Sequence, residues 1–186
     1  MLRTDAARNR NRILAAAQEV LVEQGWDAPL DEIARRAEVG NATLYRHFPV
    51  REELLTEAIE QIVANVADAA EEAAAKEDDP YIALRSFLEA AAQERLAALC
   101  CLSEEKADVH PSLAQQKTRM VQAARSLLYR AQQAGRVRAD VSLEEIMVAV
   151  AQVGRPLPGT SRSAADQFGT RILQLYLDGL FTTTLG

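Results

Sequence analysis

Apolar side chains recur at the spacing of an α-helix along almost the whole chain, and no segment alternates between apolar and polar residues as a half-buried strand does. Glycines, prolines and short polar runs separate these helical segments. We therefore expect an all-α fold of about nine helices. The predicted helical segments are residues 6–24, 30–37, 43–48, a long one from 51 to the break at 78–80, and then 81–102, 111–134, 142–154 and 163–183.

Several residues mark where these helices begin and end. Pro49 cannot extend the hydrogen bonds of the short helix before it, and Pro80 belongs to the break after the long one. Gly135 predicts the end of the segment 111–134. Ser142 and Glu145 have the spacing of a capping box, in which each side chain accepts a hydrogen bond from the other residue's backbone N–H. The next helix is therefore predicted to start there.

Two of the predicted helices are short and lie close together in the sequence. The first has apolar residues at i, i+3, i+4 and i+7, which form one face (Leu30, Ile33, Ala34 and Ala37). The second, from Thr43 to Phe48, turns Leu44 and Phe48 inward and leaves hydroxyl, guanidinium and imidazole donors more exposed. Two short helices joined by a tight turn, the second rich in donors, are typical of a helix-turn-helix that reads DNA.

The same region resembles the amino-terminal domain of the TetR family of transcriptional regulators. The resemblance covers roughly the first sixty residues, and beyond them it is one of layout only. It implies a DNA-binding domain at residues 1–50 (an arm and three helices), a helical effector-binding and dimerisation domain at residues 51–186, and repression that a ligand relieves. The residues that carry it are Gly25-Trp26, Ile33-Ala34, the run Ala42 to Phe48, and Arg51 to Leu55.

The candidate DNA contacts come from three places in this domain. A helix that enters the major groove presents its first turn to base edges, so Asn41 and Ala42 are expected to face bases and Thr43 a base or a phosphate. By resemblance to the family, Tyr45 and His47 donate to phosphates, and Arg51 stands in for the usual lysine. The alternatives are a half-buried aromatic at Tyr45 and a structural histidine at His47. The arginines of the amino-terminal arm are the third group, unless they belong to a solvated tail (Arg8, Arg10 and Arg12).

The distribution of charge makes the net charge of -6 compatible with DNA binding. Residues 1–51 hold eight basic and seven acidic residues, hence +1, whereas the remainder holds 13 basic and 20 acidic residues, hence -7. A weakly basic head on an acidic body directs one face of the protein towards a polyanion. The chief expected partner is therefore double-stranded DNA.

The sequence departs from the family pattern in two places. Glu38 lies in the turn between the two short helices, where glycine is usual, and a left-handed backbone there costs a non-glycine residue about 1 kcal/mol. Either Glu38 bears that strain or the turn is built differently. Asp31 and Glu32 occupy the first turn of the preceding helix, which deprives that end of a basic phosphate contact. Affinity for DNA is therefore expected to depend more on the amino-terminal arginines.

In the larger domain the sequence predicts a pocket and a dimer face. Segments 81–102 and 111–134 have apolar side chains on several faces, which suggests a cavity for a small apolar effector with Tyr129 or a glutamine as its polar anchor; the alternative is a solid core. The expected pocket residues are Phe87, Leu99, Met120, Leu128 and Tyr129. The last two helices are expected to form a two-fold homodimer through Val148, Ala151, Gln152, Phe168, Ile172, Leu175 and Tyr176.

Other classes of protein find little support in the sequence. No nucleophile elbow, glycine-rich phosphate loop or metal-ligand spacing occurs, so we expect no enzyme activity, no metal and no cofactor. The adjacent Cys100 and Cys101 have apolar neighbours and are interpreted as small buried side chains of a reduced, cytoplasmic protein. No apolar run is long enough for a membrane span. The rival functions are a DNA-binding regulator without a small ligand and a helical carrier or enzyme that retains a helix-turn-helix.

Overall fold

The computed structural model describes the backbone of residues 2–94, 110–153 and 162–181, and the side chains of residues 6–94, 110–153 and 169–181. This part of the chain contains eight helices and no strand, which confirms the expected all-α class. They are α1 (Leu2–Gln24), α2 (Leu30–Arg36), α3 (Asn41–His47), α4 (Arg51–Lys76), α5 (Pro80–Gln93), α6 (Pro111–Gln133), α7 (Leu143–Val153) and α8 (Arg162–Leu180). Leu99 and the two cysteines lie outside the described residues.

The long helix α4 is the centre of the molecule. It packs against α1 at one end and against α5 and α6 further along. Its fully buried side chains include Ile59, Ile62 and Val66, and each such side chain contributes about 1.5–3 kcal/mol on burial. The side-chain amide of Gln18 in α1 also donates to the carbonyl of Ala58 at 3.3 Å. One continuous helix therefore joins the helix-turn-helix to the rest of the protein.

Helix boundaries follow local capping chemistry. Asp79 accepts hydrogen bonds from the backbone N–H groups of Tyr81 and Ile82 at 2.8 and 3.3 Å, and this cap starts α5. The predicted capping box of α7 is confirmed, because the Ser142 N–H donates to the Glu145 carboxylate at 2.8 Å and the Glu145 N–H to the Ser142 hydroxyl at 3.2 Å.

The carboxyl-terminal end of α8 is fixed to the start of α5. The ring of Phe181 contacts that of Tyr81 edge to face, with centroids 3.9 Å apart. Arg85 donates to the Asp178 carboxylate at 3.0 Å, and Phe181 also forms an isolated antiparallel bridge with Val137. These contacts hold α8 with a defined face towards the core. None of the helices in the described ranges is both long and apolar enough to cross a lipid bilayer.

Candidate nucleic-acid interface

The turn between α2 and α3 contains a non-glycine residue in the left-handed region. Glu38 has φ of 52°. Its N–H donates to the Arg35 carbonyl at 3.1 Å, and the N–H of Val39 donates to the Ala34 carbonyl at 3.0 Å. This pair of bonds is the Schellman motif, which usually has glycine at the position of Glu38. Of the two possibilities left open by the sequence, Glu38 bears the strain.

We expect Glu38→Gly to raise the free energy of unfolding by about 1 kcal/mol, because glycine adopts this backbone without the Cβ clash. For a chain of this size the midpoint of thermal unfolding should rise by about 2–4 °C. Glu38→Ala is the matched control, since it also removes the exposed ion pair with Arg12 but keeps the Cβ atom. Equal stability of the two variants would show that the backbone here is unstrained.

Helix α3 turns one face inward and offers the other to solvent. Leu44 and Phe48 are buried, as the apolar pattern predicts. The helix begins at Asn41, two residues earlier than the sequence prediction, because the Gly40 carbonyl accepts from the N–H groups of Thr43 and Leu44 at 2.8 and 3.1 Å. Of the expected DNA contacts on α3, three are exposed and two are half-buried: Asn41, Ala42 and Tyr45, then Thr43 and His47.

Hydrogen bonds orient two side chains on the outer face of α3. The Asn41 amide nitrogen donates to the Asp31 carboxylate in α2 at 2.8 Å. The guanidinium of Arg46 donates to the Ala42 carbonyl at 3.1 Å and to the Thr43 hydroxyl at 3.2 Å. Asn41 is therefore held by a neighbouring helix, whereas Arg46 folds back along its own.

Two arginines of α1, Arg10 and Arg12, are engaged within the protein. Arg10 forms a two-pronged ion pair with Glu57 of α4, and its guanidinium lies over the Phe48 ring, 4.8 Å from the centroid. The hydrogen bond to Glu57 raises the pKa of Arg10 above its ordinary value. Arg12 pairs with Glu38, while Arg8 is exposed. To bind a DNA phosphate, Arg10 and Arg12 must therefore first break their ion pairs with Glu57 and Glu38. The sequence alone did not indicate these ion pairs.

Arg51 lies differently from the expected phosphate contact. Its guanidinium donates to the Trp26 carbonyl and, at 2.8 Å, to the Ala28 carbonyl, both in the loop between α1 and α2. Its Nε atom is buried without a hydrogen-bond partner among the described residues. The side chain thus fastens the loop to the start of α4, and the phosphate role taken from the resemblance is not what this geometry supports. Its partners lie 25 and 23 residues upstream, where no local pattern reveals them.

The basic residues of α2 are also neutralised. Arg36 pairs with Glu23 of α1 and with Glu32, and Arg35 donates to Glu32 through its Nε and Nη2 atoms, each at 2.8 Å. Hydrogen bonds from Arg35 and then Arg36 lower the pKa of Glu32 to about 2. Because the pKa is depressed, this pairing stabilises the fold at neutral pH and its contribution is lost as the pH falls from about 4.5 towards 2.

Comparison with known proteins identifies the family to which this chain belongs. Residues 13–58 match the model of bacterial regulatory proteins of the tetR family, and residues 79–182 match the carboxyl-terminal domain of SbtR-like transcriptional regulators. The chain belongs to the TetR family. It is a DNA-binding transcriptional regulator with an amino-terminal helix-turn-helix and a helical carboxyl-terminal region.

Relatives of known structure match this TetR-family chain over most of its length. It is 32% identical to the TetR regulator SCO0520 of Streptomyces coelicolor, covering 94% of this chain and 99% of that one with a TM-score of 0.61. It is also 32% identical to a TetR regulatory protein of Mycobacterium vanbaalenii, covering 98% and 100% with a TM-score of 0.58. A curated relative, the transcriptional activator FasR of Mycolicibacterium smegmatis, is 37% identical over 82 residues, which span 44% of this chain and only 37% of that protein.

In the body of this TetR-family protein, the expected pocket residues separate into two groups. Phe87, Met120 and Leu128 are buried between helices. Tyr129 is 63% exposed, so its expected role as the polar anchor of an internal pocket is wrong. Successive residues of a helix are about 100° apart, and Leu128 points inward. Gln132, a nearby glutamine, donates to the carbonyls of Arg138 and Val141 at 3.0 Å and holds the loop after α6.

The expected dimer residues lie mostly on the surface. Val148, Ile172 and Leu175 are 58%, 49% and 55% exposed, and Gln152 is exposed as well. Ala151 is buried within the chain, so its assignment to the dimer face is wrong. Tyr176 is half-buried, and burial followed by the charge of Glu145 raises the pKa of its hydroxyl. The side chain of Phe168 lies outside the described residues.

A groove between α4 and the start of α6 was not predicted from the sequence. It is lined by the buried hydroxyl of Thr56, by His110 and by three glutamates of α4 (Glu53, Glu57 and Glu60). His110 precedes α6, but its side chain does not cap that helix; instead its Nε2 atom is 3.4 Å from the Thr56 oxygen. Ser112 donates to Glu60 at 3.0 Å. These contacts join the start of α6 to the part of α4 that holds Arg10.

Proposed function

We propose that this protein binds a palindromic operator as a homodimer and that a small, mainly apolar ligand releases it. In this proposal residues 1–50 form the DNA-binding domain and residues 51–186 form the effector-binding and dimerisation domain. The observation that carries the DNA-binding part is the outer face of α3, where Asn41, Ala42 and Tyr45 are exposed together on a helix whose other face is buried.

The apolar pattern of α8 supports a dimer. Leu173, Leu177 and Leu180 form a buried stripe that packs within the chain. Ile172 and Leu175 are exposed on a second apolar stripe of α8, and Val148 is exposed on α7, the helix that packs against it. A helix that is apolar on two faces needs two partners, and a second copy of the chain supplies the missing one. A dimer also doubles the number of base pairs read, which a single head needs for useful specificity.

The contacts of α4 provide a route from the ligand to the DNA. Near its amino-terminal end, α4 contacts the DNA-binding domain through the ion pair between Glu57 and Arg10 of α1. Further along, Asp68 and Glu71 both bind Arg119 of α6. A ligand that displaces α6 therefore pulls on α4, which changes the spacing of the two heads in the dimer. The operator-bound and ligand-bound arrangements are the two states that this mechanism requires.

Buried apolar side chains from α5 and α6 support the ligand part of the proposal, with Phe87, Met120 and Leu128 at its centre. The TetR-like regulator LfrR of Mycobacterium smegmatis, 24% identical with a TM-score of 0.63, has the same fold and was solved in complex with proflavine. The rival is a regulator with a solid core and no small ligand. A ligand that releases such a regulator from DNA ends repression where the bound protein represses, and ends activation where it activates. The relative FasR is named an activator. We propose that the present protein is a repressor.

Tyr45→Phe should weaken operator binding by about 1 kcal/mol, because it removes one hydrogen bond to a phosphate. The sequence preference should stay unchanged, since phosphates carry no base identity. The measurement is a titration of an operator obtained by selection from random DNA. Tyr129→Phe is the matched control, because it removes an exposed hydroxyl from the body instead of the head. A changed base preference in Tyr45→Phe would contradict this orientation of α3.

Met120→Trp should block release from the operator and leave operator binding intact, because the larger side chain fills the proposed cavity. The measurement is the effect on DNA binding of compounds that release the wild-type protein. Ile82→Trp on α5 is the control, since Ile82 is exposed and its replacement leaves the core unchanged. If no compound from an apolar library releases or binds the wild type, the regulator without a ligand is the better description.

A further inference from the structure

Asp31 and Asn41 join the first turns of α2 and α3 on the outer surface of the head. Both side chains are exposed, and the amide nitrogen of Asn41 donates to the carboxylate oxygen of Asp31 at 2.8 Å. A carboxylate accepts hydrogen bonds only, so the group that faces it must be the NH2 and not the carbonyl of the amide. The contact therefore fixes which way the amide of Asn41 points.

The two carboxylates in the first turn of α2 differ in their partners. Glu32 is bound by the guanidinium groups of Arg35 and Arg36, which neutralise it. Asp31 has no ion pair in the part of the chain that the structure describes, and its hydrogen bond is to the neutral amide of Asn41. Among the described residues no cation therefore faces Asp31, and its carboxylate has free acceptor positions beside the residue expected to read bases.

We propose that Asp31 is a specificity-determining residue of the operator contact, acting in two ways. It positions the amide of Asn41, and its carboxylate accepts a hydrogen bond from an exocyclic amino group of the neighbouring base. This inference rests on the proposed function, because it assumes that α3 enters the major groove. The proposal predicts that the operator has adenine at the base contacted by Asn41 and cytosine or adenine at the neighbouring base, contacted by Asp31.

The base pattern follows from donors and acceptors. An amide has two N–H groups, so Asn41 keeps one N–H and its carbonyl oxygen after binding Asp31. That combination matches the N7 acceptor and N6 amino donor of adenine. A carboxylate pairs with the amino groups of cytosine N4 or adenine N6. It is repelled by guanine O6 and N7 and by thymine O4, all of which are acceptors, so Asp31 also excludes these bases.

The test compares the base preferences of three full-length proteins by selection from a randomised half-site, followed by titration of single-base variants. Wild type should prefer adenine at one position and an amino-bearing base beside it, each by about tenfold. Asp31→Ala should lose the preference at both positions. Asp31→Asn should keep the adenine preference, because its side-chain oxygen still accepts from Asn41, and should tolerate guanine or thymine at the neighbouring position.

Asp27→Asn is the control for charge alone, since Asp27 is an exposed acid of the same head and lies before α2. It should strengthen binding to all sequences alike. The proposal is overturned if Asp31→Ala behaves like Asp27→Asn, with stronger binding and unchanged preference. It is also overturned if Asp31→Asn loses the adenine preference while its thermal midpoint stays that of wild type. Absence of any selected sequence for the wild type would instead refute the proposed function, so the two failures are distinguishable.

Discussion

Arg51→Ala is expected to lower the free energy of unfolding by about 2–3 kcal/mol, because two hydrogen bonds from a charged donor are lost together. The guanidinium of Arg51 joins the carbonyls of Trp26 and Ala28 to the start of α4. Without it the loop between α1 and α2 has no such attachment, and the two carbonyls must find water. The measurement is chemical or thermal denaturation of the purified protein.

Arg51→Lys separates geometry from charge. A lysine keeps the positive charge but lacks the planar fork that reaches two carbonyls at once, so we expect it to recover at most about half of the lost stability. Arg35→Ala is the surface control, since the Arg35 side chain is 70% exposed in its ion pair and such pairs contribute little.

The salt dependence of DNA affinity, measured for wild type and Arg51→Ala, distinguishes the two roles considered for Arg51, which are a phosphate contact and an attachment for the loop between α1 and α2. A phosphate contact would make the dependence of log affinity on log salt shallower by about one in Arg51→Ala, with stability unchanged. The geometry of the loop predicts the reverse, a loss of stability with an unchanged salt slope in the folded protein. If the unfolding curve of Arg51→Ala is the same as that of wild type, the expected phosphate contact is the better interpretation of Arg51.

The features that the sequence predicted well are those that depend on neighbouring residues. The capping box of Ser142 and Glu145 and the break before α5 each involve residues within three positions of one another. The exposure of Tyr129 was also readable, because the buried residues of α6 lie on one stripe that leaves it outside (Leu113, Met120, Ala124, Leu127, Leu128 and Ala131). The prediction failed there because apolar residues on several faces were taken together as a cavity lining.

Contacts between distant residues were not predictable in the same way. Arg10 and Glu57 are 47 positions apart, and Asn41 and Asp31 are ten apart on different helices. A charged residue in a DNA-binding domain has many available partners, and only the packing of α1, α2 and α4 selects one. The sequence therefore predicted which residues have suitable donors, whereas the three-dimensional arrangement decides which donors are already engaged.

Leu175→Asp is expected to convert the proposed dimer into a monomer. Leu175 is 55% exposed on the outer stripe of α8, beside Ile172. In a two-fold interface each substitution acts twice, so the loss of two buried leucines alone amounts to about 3–6 kcal/mol. That corresponds to a rise of roughly two to four orders of magnitude in the dimer dissociation constant, and the two added carboxylates increase it further. The measurement is sedimentation velocity at micromolar concentration.

The same variant tests whether the dimer is the form that binds DNA. Two linked heads bind a palindrome with the affinity of both, whereas a separated head contacts one half-site, so Leu175→Asp should bind the operator at least about a hundredfold more weakly. Ile82→Asp is the control, because Ile82 is a similarly exposed apolar residue, 44% exposed, that lies on α5 and not on the proposed stripe of α7 and α8. The stripe is not the interface if Leu175→Asp stays dimeric. A monomeric wild type that still selects a palindrome would mean that dimerisation occurs on the DNA, with α8 engaged only when two half-sites are adjacent.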